Sequence, residues 1–197
     1  MSLLLLEGPS GVGKSTLIYQ YANRSEKVAG GFYCQRLRDE RGDTRAFCLR
    51  NANGIKITMN KYFDGINHVF LEFANERIIK HLQVFENISE IVGDVSNCDY
   101  FLLDEIGGME LAVPSFLPFL RSILDTGKPC IGVLKSSDLY LAMHQHLNET
   151  PALWKNYQDF RSELINHYHA NIIVMEQRES VQAKREVAYF FGQLSLL

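Results

Sequence analysis

The chain has 197 residues, 46% of them hydrophobic and 22% charged, with a formal net charge of -3. That length suits one compact domain spanning residues 1–197, with enough apolar material for a core that needs no staple. The slight acidic excess argues against non-specific binding to nucleic acid or to an anionic membrane, both of which draw on a basic surface.

In chain order, Leu3–Glu7 is a short apolar run without periodicity, which predicts a strand buried on both faces of a parallel sheet. Gly8–Gly13 follows as a loop, and Lys14 to about Arg24 is compatible with a helix. Val28–Leu37 predicts a second strand, entered through Gly30-Gly31. From Arg38 to about Phe73 the texture changes. Thr44–Arg50, Ile55–Asn60 and His68–Phe73 alternate with turn signals at Arg41-Gly42-Asp43, Asn51–Gly54 and Asp64-Gly65. These predict antiparallel hairpins, an inserted β-rich region of about 38–73 fit to cover a ligand or to receive a protein partner.

Asn75 to about Val92 spaces Ile78, Ile79, Leu82, Phe85, Ile88 and Ile91 at helical intervals. Tyr100–Leu103 predicts a buried strand ending in Asp104-Glu105. Pro114 opens a helix that runs to Asp125 and is closed by Thr126-Gly127. Cys130–Leu134 is a further strand, helices follow around Asp138–Leu147 and Trp154–His167, Asn171–Met175 is the last strand, and a helix starts near Ser180. Short apolar strands separated by helices predict an α/β fold, with a mainly parallel sheet flanked by helices and an inserted antiparallel β-hairpin region.

Cys34, Cys48, Cys98 and Cys130 form no close Cys-x-x-Cys pair, so neither a zinc site nor a dithiol motif is written here. Four reduced thiols in a cytoplasmic protein is the expectation. Leu3–Leu6 is too short for a signal peptide. No stretch approaches the roughly 20 apolar residues of a membrane span.

The sharpest signal is Gly8-Pro9-Ser10-Gly11-Val12-Gly13-Lys14-Ser15, which satisfies G-x-x-x-x-G-K-[ST] between a buried strand and a helix. Glycines let successive amide N–H groups converge on phosphate oxygens, and the helix presents its positive end to the same anion. Lys14 supplies a charge for the β- and γ-phosphates, the Ser15 hydroxyl is placed to coordinate Mg²⁺, and Thr16 reaches toward the α-phosphate. Asp104, at the end of an apolar strand, completes the magnesium site. Glu105 beside it is placed to orient or deprotonate an attacking water, which distinguishes hydrolysis from transfer to a second substrate. Without the phosphate loop, an Asp-Glu pair after a strand reads only as a solvated helix cap.

Gly8–Thr16, Gly30-Gly31-Phe32-Tyr33 and above all Asp104-Glu105-Ile106-Gly107-Gly108-Met109-Glu110-Leu111 resemble the cancer-related nucleoside-triphosphatase family. Its members are small P-loop proteins with a RecA-like core that hydrolyse nucleoside triphosphates with broad base tolerance. The resemblance runs from residue 3 to about residue 179. It implies a nucleoside triphosphate as ligand and Mg²⁺ as cofactor. Lys14, Ser15, Asp104 and Glu105 match the family's lysine, hydroxyl and acid pair. Arg38 falls where the family tends to carry an arginine, Arg45 resembles a second such position, and Lys61-Tyr62 resembles an element after the hairpins. Gln177-Arg178-Glu179 is similar to an Asn-Arg-Asp type sequence after the last strand, which adds Arg178 to the nucleotide-binding set. The chain departs from the pattern at Gly108, where the family carries a lysine, at Ser10, and over 64–99, where the likeness is loose.

Arg36, Arg38, Arg41 and Arg45 all lie in or near the first hairpin. One of them, Arg38 first, is a candidate finger against transition-state charge; the alternative is a solvated sheet edge. Lys135-Ser136-Ser137 stands at a strand end where a polar group can face the γ-phosphate, although a plain helix cap by either serine suits it better. His144, His146, His167 and His169 read as ordinary surface histidines, and Trp154 and Phe160 as core. Two further functions stay open on the residues alone: a nucleotide-dependent switch acting on a partner, and a kinase whose phosphate loop resembles that of guanylate kinases.

Overall fold

Five of the apolar runs form the parallel part of one sheet. The computed structural model describes residues 2–55, 61–74, 77–137 and 151–196. The strands are β1 (Leu3–Glu7), β2 (Ala29–Arg38), β3 (Thr44–Asn51), β4 (Val69–Ala74), β5 (Arg77–Lys80), β6 (Tyr100–Ile106), β7 (Cys130–Leu134) and β8 (Asn171–Val174). Their spatial order is β5-β4-β3-β2-β6-β7-β1-β8. From β2 to β8 the neighbours run parallel, and from β2 to β5 antiparallel.

The helices are α1 (Lys14–Ala22), α2 (Gln83–Glu86), α3 (Ile88–Val92), α4 (Phe116–Leu124), α5 (Pro151–Asn166) and α6 (Val181–Leu194), with a 3₁₀ turn at Met109–Ala112. They cover both faces, which is why the central strands read as unbroken apolar runs. Successive strand side chains point to opposite faces. Leu3, Leu5, Phe101 and Leu103 pack with Ile88, Leu120 and Phe160 of α3, α4 and α5. Leu4, Leu6, Tyr100 and Leu102 pack on the other face with Ile18 of α1 and Val187 and Phe191 of α6. The helix expected from near Ser180 is α6, and Ser180 caps it, its side chain accepting the Ala183 N–H at 3.3 Å. Trp154 and Phe160 belong to the core, Trp154 stacked on Tyr157. No helix among the described residues is long and apolar enough to cross a membrane.

The strand β2 joins the two halves of the sheet. Ala29–Phe32 pair parallel with β6, and Phe32–Arg38 pair antiparallel with β3. Gly31 sits at this junction with φ +92°, and a Cβ there would lie 2.3 Å from the Leu102 carbonyl oxygen. The expected antiparallel hairpin region is present and continues the same sheet. Its strands also reach past 38–73, because Arg77–Lys80 form an edge strand where helical spacing predicts a helix. Adjacent β-branched Ile78 and Ile79 suit that pairing. The helical period holds only from Gln83, in α2 and α3, which bury Phe85 and Ile88. Ile55 lies outside any strand, while residues 56–60 and the expected helix around Asp138–Leu147, with His144 and His146, lie outside the described residues.

Candidate active site

Between β1 and α1 the chain turns through Gly8–Gly13. Gly8 has φ +142°, and a Cβ on it would lie 2.2 Å from the Met175 carbonyl oxygen at the end of β8. Only glycine fits that approach. Just before the loop, buried Glu7 is paired at 2.9 Å with Arg161, which ties the end of β1 to α5. The Lys14 ammonium donates to the Gly8 and Pro9 carbonyls, both at 2.7 Å. Burial holds it below the ordinary lysine range, against the opposing charges of Glu105, Asp104 and Glu7.

Asp104 and Glu105 lie in β6, where adjacent side chains should face opposite ways. The pairing of β6 with β7 shifts register between Leu103 and Ile106, and Glu105 sits at φ +63°. A non-glycine residue in that region is uncommon and concentrates at functional sites. The irregularity brings both carboxylates to one cleft of about 360 Å³. Asp104 is only 2% exposed. It accepts from the Ser15 hydroxyl at 2.9 Å, from the Cys34 N–H at 3.2 Å and from the Tyr19 hydroxyl. Burial first, then the charge of Glu105, pushes its carboxyl well above the usual range, while the three donors oppose that rise.

The cleft gathers most of the expected set: Ser10, Gly11, Gly13, Lys14, Ser15, Thr16, Asp104, Glu105, Arg38 and Arg178 all line it. The stem of Arg178 passes over Gly13, whose Cβ would meet its Cγ at 3.9 Å. Gly8, Pro9 and Val12 are not among the lining residues; the first two hold Lys14 through their carbonyls, and Val12 packs into the core. Arg38 is exposed and donates to the Gly42 carbonyl at 2.6 Å. Arg36 lines the cleft too, with its guanidinium 5.3 Å from the centre of the Phe47 ring. Arg45 is turned elsewhere, toward Glu72 and the Phe73 carbonyl, and Lys61 is exposed beside Glu40 at 3.6 Å.

Two participants, Tyr19 and Cys34, went unread in the sequence, and a third, Lys135, was read only as part of a strand end. Tyr19 has a signal there, since it stands four residues after Ser15 and so on the same helix face. Cys34 contributes backbone, which carries no residue signature. Lys135 resembled a mere strand end, yet its ammonium fills the space beside Gly108: a Cβ there would lie 2.2 Å from its Nζ and 2.9 Å from Glu110 Oε2. Glu110 is buried, accepts the Gly108 N–H at 2.5 Å, and is pushed up by burial against the charge of Lys135. The lysine that the family resemblance leads one to expect at position 108 thus has its space taken by a lysine from β7's end.

A sequence model of the family described as NTPase matches residues 3–166. The chain belongs to the NTPase family. Membership of the NTPase family makes it a nucleoside-triphosphatase by enzyme class. Among curated relatives, nucleoside-triphosphatase THEP1 of Saccharolobus solfataricus is 33% identical over 141 residues, 66% of this chain and 74% of that one. THEP1 of Hyperthermus butylicus is 27% identical over 148 residues, 71% and 75% of the two chains. The fold matches the crystal structure of THEP1 from Aquifex aeolicus, with TM-score 0.59 and 18% identity over 96% of this chain and 99% of the other. It also matches the solution structure of a human cancer-related nucleoside triphosphatase, with TM-score 0.57 and 19% identity over 100% and 98%.

The Ser15 hydroxyl and Asp104 carboxylate form an all-oxygen donor pair suited to a hard divalent cation. Among the described residues no group of three or more His, Cys, Asp or Glu gathers as a closed metal cage. An open pair of oxygen donors beside a phosphate loop fits Mg²⁺, which is commonly held by one or two carboxylates together with substrate phosphates.

Proposed function

We propose that this NTPase family member binds a nucleoside triphosphate with Mg²⁺ and hydrolyses it to the diphosphate and phosphate, slowly and with broad tolerance for the base. The observation that carries the reading is the strained Glu105, in the same cleft as the phosphate loop and next to Asp104. The loop amides and Lys14 take the β- and γ-phosphates, with Thr16 toward the α-phosphate and Arg178 flanking the loop. Ser15 and Asp104 hold the cation, which when bound neutralises charge on the β- and γ-phosphate oxygens. Glu105 accepts a proton from the attacking water, whose oxygen bonds to the γ-phosphorus as the bond to the β–γ bridging oxygen breaks. Arg38 then leaves the Gly42 carbonyl and meets the developing charge; its engagement there supports a low intrinsic rate.

In this reading residues 1–197 act as one catalytic domain, and the cell compartment is the cytoplasm, in keeping with four free cysteines. A protein partner docking on the antiparallel strands is a second reading, favoured by exposed Ile78 and Ile79 on the edge strand β5. The test is phosphate release from ATP, GTP, CTP and UTP with Mg²⁺, comparing the wild type with Glu105→Gln. Slow release from all four, lost in the variant while nucleotide binding survives, supports hydrolysis. A wild type that binds nucleotide and releases no phosphate would sink it, and release only with an added partner would favour the second reading.

A further inference from the structure

A second cavity, of about 420 Å³, adjoins the phosphate cleft. Ser10, Cys34, Arg36, Phe47, Asp104 and Glu105 line both spaces, so the two meet at the acid pair, on the side where an attacking group must stand. Beyond that shared wall the lining is aromatic: Phe32, Phe70, Phe73 and Phe85 join Phe47. These rings touch one another, with Phe47–Phe70 centroids 6.3 Å apart and Phe70–Phe85 5.2 Å apart.

Such a space is poorly matched to water as its only guest. A buried water needs two to four polar partners in a volume of about 30 Å³, and a ring of phenylalanines offers none. Benzene fits an apolar cavity of about 150 Å³, so this one holds an aromatic ring with a short side chain, or two fused rings. Its volume and its apolar lining with a few convergent polar groups are those of a small-molecule site. The charges at its rim are largely matched. Arg36, over Phe47, lines the same wall as Glu105 and Asp104, and Lys135 lies beside Glu110. A charged guest would enter without a partner of its own, which burial makes costly. A neutral guest with one hydroxyl keeps the rings covered and gives Glu105 a proton to accept.

We propose that this cavity is the acceptor site for a neutral aromatic alcohol, whose hydroxyl takes the γ-phosphoryl group in place of water. The proposal rests on the hydrolytic reading of Lys14, Asp104 and Glu105. The alcohol oxygen bonds to the γ-phosphorus, the bond from that phosphorus to the β–γ bridging oxygen breaks, and the diphosphate leaves with the bridging oxygen. The alcohol proton passes to Glu105. The products are a phosphate monoester and a nucleoside diphosphate, with no oxidant or further reactant needed.

The test uses the full chain with γ-labelled ATP and Mg²⁺ and measures labelled phosphate and labelled monoester together. The probes are 2-phenylethanol and 3-phenylpropan-1-ol, with ethanol at equal concentration as control. Burying a phenyl group predicts at least about tenfold more ester from the aromatic alcohols than from ethanol. Ile78→Trp, at a lining position 44% exposed and so tolerant of a larger side chain, narrows the cavity and lowers the ester-to-phosphate ratio by about tenfold. Phe73→Trp serves as a second filling variant should the first disturb the edge strand. Ester yields no higher than with ethanol, or inhibition of phosphate release without ester, overturn the acceptor site. Phosphate release without ester leaves the hydrolytic reading standing. Ester formed by a protein that releases no phosphate alone removes that reading and keeps the acceptor site.

Discussion

Replacing Tyr19 by Phe removes one hydroxyl and keeps the ring against Tyr33, whose centroid is 5.5 Å away. That hydroxyl is one of three donors on Asp104, a carboxyl that burial and Glu105 already push upward. The sign follows from which form the donor favours. It stabilises the charged carboxylate, so its loss raises the carboxyl's affinity for a proton further. Hydrogen bonds to charged groups contribute about 1.5–3 kcal/mol, and one pH unit corresponds to about 1.4 kcal/mol, so the rise is about 1–2 pH units. A proton and Mg²⁺ compete for the same carboxylate. Below the carboxyl's pKa the apparent Mg²⁺ affinity therefore falls about tenfold per pH unit. Mg²⁺ titrations of phosphate release between pH 5.5 and pH 9, on wild type and Tyr19→Phe, read this directly; those pH limits are about the window in which such a raised carboxyl titrates. The acid limb of the variant should move up by about 1–2 units, with the two proteins converging at the alkaline end. Coincident acid limbs would refute the claim that Tyr19 holds Asp104 in its charged form.

Glu105→Gln should lower phosphate release by about 10²–10⁴-fold with nucleotide affinity nearly unchanged, checked by single-turnover kinetics and equilibrium binding. Gly31→Ala should cost about 3 kcal/mol or more, because its methyl meets the Leu102 carbonyl at 2.3 Å on a backbone with φ +92°; a Tm drop of about 6–12 °C checks it. Arg38→Ala should reduce kcat by about tenfold or more while KM moves little, and an unchanged kcat would remove it from the mechanism in favour of Arg36. Gly108→Ala should displace the Lys135 ammonium, since the added carbon would lie 2.2 Å from it; thermal melts and kcat, compared with Lys135→Met, show whether both changes act through one group.

What the sequence made legible is what local chemistry determines. Leu3–Glu7 and Cys130–Leu134 were bounded correctly because burial on both faces leaves an unbroken apolar run between polar ends. The phosphate loop carries its own signature, because its glycines answer local backbone demands and its Lys-Ser pair opens the helix. Arg77–Lys80 misled because Ile78 and Ile79 fit a helical period, and only pairing with β4 selects the strand. The strain at Glu105 arises from the register shift between β6 and β7, which no residue near it announces. The aromatic cavity collects Phe32, Phe47, Phe70, Phe73 and Phe85 from four elements, so sequence spacing carries no trace of it.

The placement of β1 between β7 and β8 bears on how the chain comes off the ribosome. Leu3–Leu6 find their partners in Cys130–Val133, and Leu4–Glu7 theirs in Asn171–Val174. The strand that carries the phosphate loop is made before both of its neighbours in the sheet and is fixed only after them. Until both partners have emerged, a run of four leucines stays without its sheet, an exposed apolar segment of the kind that invites aggregation during synthesis.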